Sequence, residues 1–177
     1  MLSLPGYEIT EQIHESHNSL VYRGYRLNDR LGVVIKMCKQ IYPDPLRIYH
    51  YQQEFEILNT LKVPGIVKAY DLVLTDDRPY LVLEDFGGIS LSKLNIGGTL
   101  DLADFLSIAI SVTEIIDNIH SCKIIHKDLN PSNILLNVET QEIKIIDFGI
   151  ATVLEQETQT FVNPNLLEGT LAYISPE

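Results

Sequence analysis

The sequence predicts an α+β chain: five β-strands and one helix up to residue 84, then a mostly helical part. Three observations carry this. Before residue 84, short alternating runs of β-formers recur. A helix start is written at Asp44-Pro45, with Asp able to cap and Pro tolerated at the first helical position. Beyond Gly87-Gly88 the apolar residues take up helical spacing.

In order, Tyr7 to Ile13 and Leu20 to Tyr25 alternate and read as strands, and Gly32 to Cys38 is a short apolar run holding Lys36. The helix from Pro45 runs to about Leu61. Val67 to Leu74 and Pro79 to Glu84 are two more strands, turned at Thr75-Asp76-Asp77. Next, Leu102, Phe105, Leu106, Ala109, Val112, Ile116 and Ile119 mark one face of a long amphipathic helix. Ile134 to Leu136 and Ile143 to Ile146 are short strands that form a hairpin. Ala151 to Leu167 is polar and irregular, and a loop that long inside a compact domain is usually functional.

The 177 residues suffice for one domain with a sizeable core, and no Pro/Gly-rich linker divides them, so one continuous globular unit is expected. A net charge of −11 argues against a nucleic-acid surface, whose phosphates need a basic patch. Cys38 and Cys122 lack metal or redox spacing and are expected as buried free thiols in a reducing compartment. The N-terminus has neither the basic nor the apolar region of a signal peptide. The most apolar stretch, Phe105 to Ile116, is interrupted by Glu114 and is far shorter than the ~20 residues of a membrane span. The expectation is a cytoplasmic chain with no membrane partner.

The chemistry-bearing signal is His126-Lys127-Asp128-Leu129-Asn130-Pro131-Ser132-Asn133, followed by Asp147-Phe148-Gly149. Phosphoryl transfer to a hydroxyl needs a carboxylate near the acceptor, metal ions on the phosphates, and rigid positioning. Asp128 can supply the first, and Asn133 and Asp147 offer the hard oxygen donors that Mg²⁺ prefers. Each residue alone would pass as ordinary turn chemistry. The two motifs in this order, with a hairpin between them, would not.

On these motifs the whole chain resembles the eukaryotic-type serine/threonine protein kinase superfamily. The resemblance implies a bilobal fold: a five-stranded N-lobe with one helix (residues 1–83), a hinge (84–88) and the first part of a helical C-lobe (89–177). It implies ATP and Mg²⁺, with Asp128 as catalytic base, Asn133 and Asp147 on the metal, and Lys36 of Gly32-Val33-Val34-Ile35-Lys36 on the phosphates. Lys36 should pair with a helix glutamate. Glu54 shares the stripe of Tyr51, Leu58 and Leu61, so it is preferred to Glu56. Leu83 is placed as gatekeeper, backbone groups of Glu84 and Phe86 on adenine, and Val21, Val34 and Leu135 above and below the ring. Gly169-Thr170-Leu171-Ala172-Tyr173-Ile174-Ser175-Pro176-Glu177 resembles the end of an activation segment, with Thr170 near Asp128. This ending implies a protein substrate carrying a Ser/Thr acceptor. With Leu4-Pro5-Gly6-Tyr7, the stretch looks most like the N-terminal kinase domain of large bacterial signalling proteins in which ATPase-like and sensor histidine kinase domains follow.

The chain departs from the pattern at several places. His14, Ser16 and Ser19 stand at the three glycine positions of the nucleotide loop, where side chains loosen the backbone's approach to phosphate. Ser16, Asn18 and Ser19 are expected to donate side-chain hydrogen bonds instead. Lys127 replaces the Arg that reads a phosphorylated loop, and Asn130 replaces a Lys that contacts the γ-phosphate. The family's C-lobe runs on past Pro176-Glu177, so residues 1–177 alone are expected to expose apolar surface, to be poorly soluble or molten in the second half, and to be inactive. Three readings follow: an active serine/threonine kinase, a pseudokinase that senses nucleotide or docks a regulated domain, and a truncated product.

Overall fold

A computed structural model of the chain describes residues 4–75, 77–94, 100–154 and 170–173. They fall into two compact units, Met1–Asn59 with Lys68–Phe86, and Thr60–Val67 with Gly87–Glu177.

The first unit is built on an antiparallel sheet of five strands: β1 (Tyr7–Glu15), β2 (Ser19–Arg26), β3 (Gly32–Cys38), β4 (Ala69–Val73) and β5 (Tyr80–Glu84), in the order β1-β2-β3-β5-β4. The central strand β3 alternates, so Val33, Ile35 and Met37 point to one face. There they form the core with Tyr80 and Val82. Directly paired residues share a face, and the pairs Val21↔Lys36, Arg23↔Val34, Val34↔Leu83 and Lys36↔Leu81 put Val21, Val34, Lys36 and Leu83 together on the other. Gly24 permits the close approach of β1, because a Cβ there would lie 2.2 Å from the Glu8 carbonyl oxygen.

Helix α1 (Pro45–Thr60) starts where expected, with Asp44 Oδ1 accepting from Arg47 N at 3.0 Å. Its buried residues are Tyr51, Glu54, Ile57 and Leu58.

In the second unit, β6 (Ile89–Ser90) leads into the short α2 (Leu91–Leu94), and α3 (Leu102–Ser121) follows. Asp101 caps α3, accepting from Asp104 N at 2.8 Å. Then come β7 (Ile124–Ile125), β8 (Ile134–Leu136), β9 (Ile143–Ile145) and β10 (Thr152–Val153). β6, β8 and β9 form one small sheet, and β10 pairs with β7.

Two expectations are corrected in part. The expected apolar face of α3 is buried only toward its C-terminal end: Ile119 is buried and Ala109, Val112 and Ile116 are half-buried, while Leu102, Phe105 and Leu106 are exposed and Ile115, off that face, is buried. Cys38 is buried, but Cys122, at the C-cap of α3, is exposed. Among the described residues, no helix is long and apolar enough to cross a membrane.

Candidate active site

In the first unit, Lys36 Nζ donates to both carboxylate oxygens of Glu54, at 2.7 and 2.9 Å. The register of β3 presents the amine, and the buried stripe of α1 presents the carboxylate. Glu54 is 2% exposed and Glu56 lies on the exposed side of the helix. Leu83 is buried on β5, and Glu84 N–H donates to Lys68 O at 2.9 Å. Next in the chain, Asp85 accepts from Arg23 Nε at 2.7 Å. Burial works against the Arg23 charge, but Asp85 and Glu11 outweigh it and hold the guanidinium above its usual range.

The turn between β1 and β2 is closed by Ser16. Its Oγ accepts from Ser19 N at 2.9 Å and Asn18 N at 3.2 Å, and lies 2.9 Å from Ser19 Oγ. Ser16 N donates to Ser19 O at 2.9 Å. The hydroxyl expected to reach outward is engaged inside the turn. His14, opposite Val21 on β1, is exposed.

In the second unit, the segment Ile124 to Asn133 carries a hydrogen-bond net centred on Asp128. Asp128 Oδ1 accepts from Thr170 Oγ1 at 2.6 Å, Thr170 N at 3.0 Å and Asn130 Nδ2 at 3.1 Å. Oδ2 accepts from Asn133 Nδ2 at 3.0 Å. Asn130 Nδ2 also reaches Thr170 Oγ1 at 3.2 Å, and its Oδ1 accepts from Ser132 N at 2.9 Å. Asn130 is therefore a neutral bridge joining the carboxylate to the threonine. A 3₁₀ turn, Leu171–Tyr173, starts at Thr170. Residues 155–169, which include Gly169 and most of the stretch expected as a loop, and Ile174-Ser175-Pro176-Glu177 lie outside the described residues.

Ile134 pairs with Ile145, and Ile146 N donates to Asn133 O at 3.0 Å, so Asn133 stands beside the residue preceding Asp147. Asp147 and Lys127 have positive φ, +67° and +66°. Such backbone costs about 1–3 kcal/mol in a residue with a side chain and gathers at functional sites. Leu135, also in this unit, pairs with Lys144 and Ser90.

A model of the protein kinase domain matches residues 7–177, across both units. The chain belongs to the protein kinase family. It is 35% identical to the serine/threonine-protein kinase PrkC of Bacillus subtilis over 147 residues, 82% of this chain and 22% of that protein. It is 31% identical to the probable serine/threonine-protein kinase PknB of Lactococcus lactis over 174 residues, 97% of this chain and 27% of that protein. Serine/threonine-protein kinase 36 of Pongo abelii is 30% identical over 171 residues, 97% of this chain and 13% of that protein. The chain thus spans about a quarter or less of the length of these relatives.

Kinase membership implies a magnesium ion, and the second unit offers two side chains with the hard oxygen donors that such an ion takes, Asn133 and Asp147. Both Asn133 amide hydrogens point at Asp128, one to Oδ2 and one to its carbonyl at 2.9 Å. That turns the amide oxygen, a hard acceptor, to the opposite side. Asp147 adds a carboxylate, with Gly149 N 3.4 Å from its Oδ1.

One kinase residue had no assigned role in the sequence. His126 is 2% exposed, takes Asp128 N–H on Nδ1 at 3.3 Å and stacks edge-on against Phe148 at 4.6 Å. Since Nδ1 accepts, Nε2 carries the proton and donates to Ile146 O at 3.0 Å. His126 thereby ties the Asp128 backbone to the strand end preceding Asp147. Its place in the motif was visible, but its partner Ile146, 20 residues on, was not.

Proposed function

We propose that this chain is a protein kinase domain, 1–177, that transfers the γ-phosphoryl group of ATP to serine or threonine hydroxyls of a protein in cytoplasmic signalling. In it, 1–83 form the first lobe, 84–88 the hinge and 89–177 the start of the second. The observation that carries the reading is Asp128 accepting a threonine hydroxyl at 2.6 Å while its other oxygen is held by Asn133. A carboxylate so fixed is suited to orient an acceptor hydroxyl and take its proton as the oxygen attacks phosphorus and ADP leaves. Lys36, aligned by Glu54, would hold the phosphates, and Asn133 and Asp147 the metal. When bound, Mg²⁺ neutralises charge on the phosphates. Val21, Val34, Leu83, Leu135 and backbone groups of Glu84 and Phe86 would receive the adenine. Its partners would be a protein substrate and the further signalling domains of a longer chain, as in bacterial proteins that combine kinase, ATPase-like and sensor histidine kinase domains.

The test is Asp128→Asn in the intact protein, assayed with radiolabelled ATP. Transfer should fall at least about a hundredfold, with nucleotide affinity nearly unchanged. Wild-type turnover in the variant would refute the assignment. A second reading, a pseudokinase that binds nucleotide and docks or regulates other domains, is favoured by one observation: the Ser16-closed turn. It expects binding without transfer in the wild type.

A further inference from the structure

A nucleotide loop works through backbone N–H groups that point at phosphate oxygens. Whether it can do so depends on what those groups already bond. In the turn of residues 16–19, three of the four amides have a partner inside the turn: Ser16 N on Ser19 O, and Asn18 N and Ser19 N on Ser16 Oγ. The same hydroxyl also touches Ser19 Oγ. The turn is braced from outside as well. Lys39 N donates to Asn18 O at 3.0 Å, and Lys39 Nζ pairs with Glu15, which also accepts from Gln12 Nε2 at 3.2 Å. Ser19 itself is buried at 8% exposure. Glycine at position 16 would leave both amides without that acceptor.

We infer that the Ser16 hydroxyl stands where a phosphate oxygen would otherwise be accepted, so that the turn caps its own amides and adds little to the binding of a nucleotide's phosphates. Ser16 is then a specificity-determining residue. It lowers discrimination between a nucleotide and the bare nucleoside, and leaves phosphate recognition to Lys36 and the metal. The inference rests on the nucleotide-binding reading of the same site.

The experiment is calorimetric titration of the intact protein and its Ser16→Ala variant with ATP, ADP and adenosine at fixed Mg²⁺, beside hydrogen exchange of the turn amides. Alanine keeps the Cβ and removes only the acceptor. ATP and ADP should bind about tenfold more tightly to Ser16→Ala, with adenosine unchanged. The Asn18 and Ser19 amides should be protected in the wild type and exchange at least about tenfold faster in the variant. Unchanged or weaker ATP binding in Ser16→Ala, with adenosine still bound, would overturn the inference and leave the nucleotide reading standing. So would unprotected Asn18 and Ser19 amides in the wild type. Absence of binding by all three ligands to both proteins would sink the nucleotide reading itself, and the inference with it.

Discussion

Lys36 and Glu54 form a bidentate pair whose side chains are 14% and 3% exposed. Two charges so shielded depend on each other, because either alone would keep its desolvation penalty without the attraction. Glu54→Ala should therefore destabilise the first unit by about 3 kcal/mol, whereas Glu56→Ala on the exposed side should change stability by less than about 0.5 kcal/mol. Urea denaturation of both variants checks this, and equal losses would contradict it. The choice between the two glutamates was legible because helical spacing sets which face a residue occupies. The bonds of Asp128 to Thr170 were legible only as proximity, since 42 residues separate them and spacing carries no hydrogen-bond geometry. The inward turn of Ser16 was not legible, because a serine in a loop can bond outward or to its own turn. Thr152 illustrates the same limit. It lies in the stretch expected to be loop, yet it is 7% exposed and paired with Ile125, so it belongs to packing rather than to an accessible phosphorylation loop.

At the scale of elements, β3 and β8 begin and end where the β-forming runs do. Two-residue pairings such as β7 with β10 leave no period to detect. On α3 the expected face holds the buried Ile119, but contacts also bury Ile115 off that face and leave Leu102, Phe105 and Leu106 in water, which spacing alone does not tell. One such contact comes from Gly65, at φ +80°. A Cβ there would lie 2.2 Å from Ile115 Cγ1 and 2.5 Å from Cδ1. Gly65→Ala should cost roughly 3 kcal/mol, from the left-handed backbone and from overpacking. Adding Ile115→Ala removes the clash, so the double variant should be more stable than the sum of the single losses. Thermal unfolding of the three variants measures the coupling, and strict additivity would show that Ile115 is not what meets the new methyl.

At the scale of the molecule, what matters is the apolar surface that stays in water. Leu102 is 72% exposed, Phe105 56%, Leu106 46% and Ile110 58%, all within nine residues of α3. Single exposed apolar residues are normal, but neighbours one and two turns apart on a helix merge into a patch, and patches drive association. The net charge of −11 opposes association. That repulsion is long-ranged and screened within about 8 Å at physiological salt, whereas apolar burial is unaffected by screening. Residues 1–177 expressed alone should therefore self-associate at micromolar concentration, more strongly as salt is raised. Replacing Leu102 and Phe105 by lysine and glutamate should shift the population toward monomer. The same pair of changes should leave the melting temperature almost untouched, because neither side chain is buried. Sedimentation velocity at low and high salt separates the two forces. A monomer under both conditions would show that this face of α3 is tolerated in water. Association that weakens with salt would place its cause in charge pairing instead.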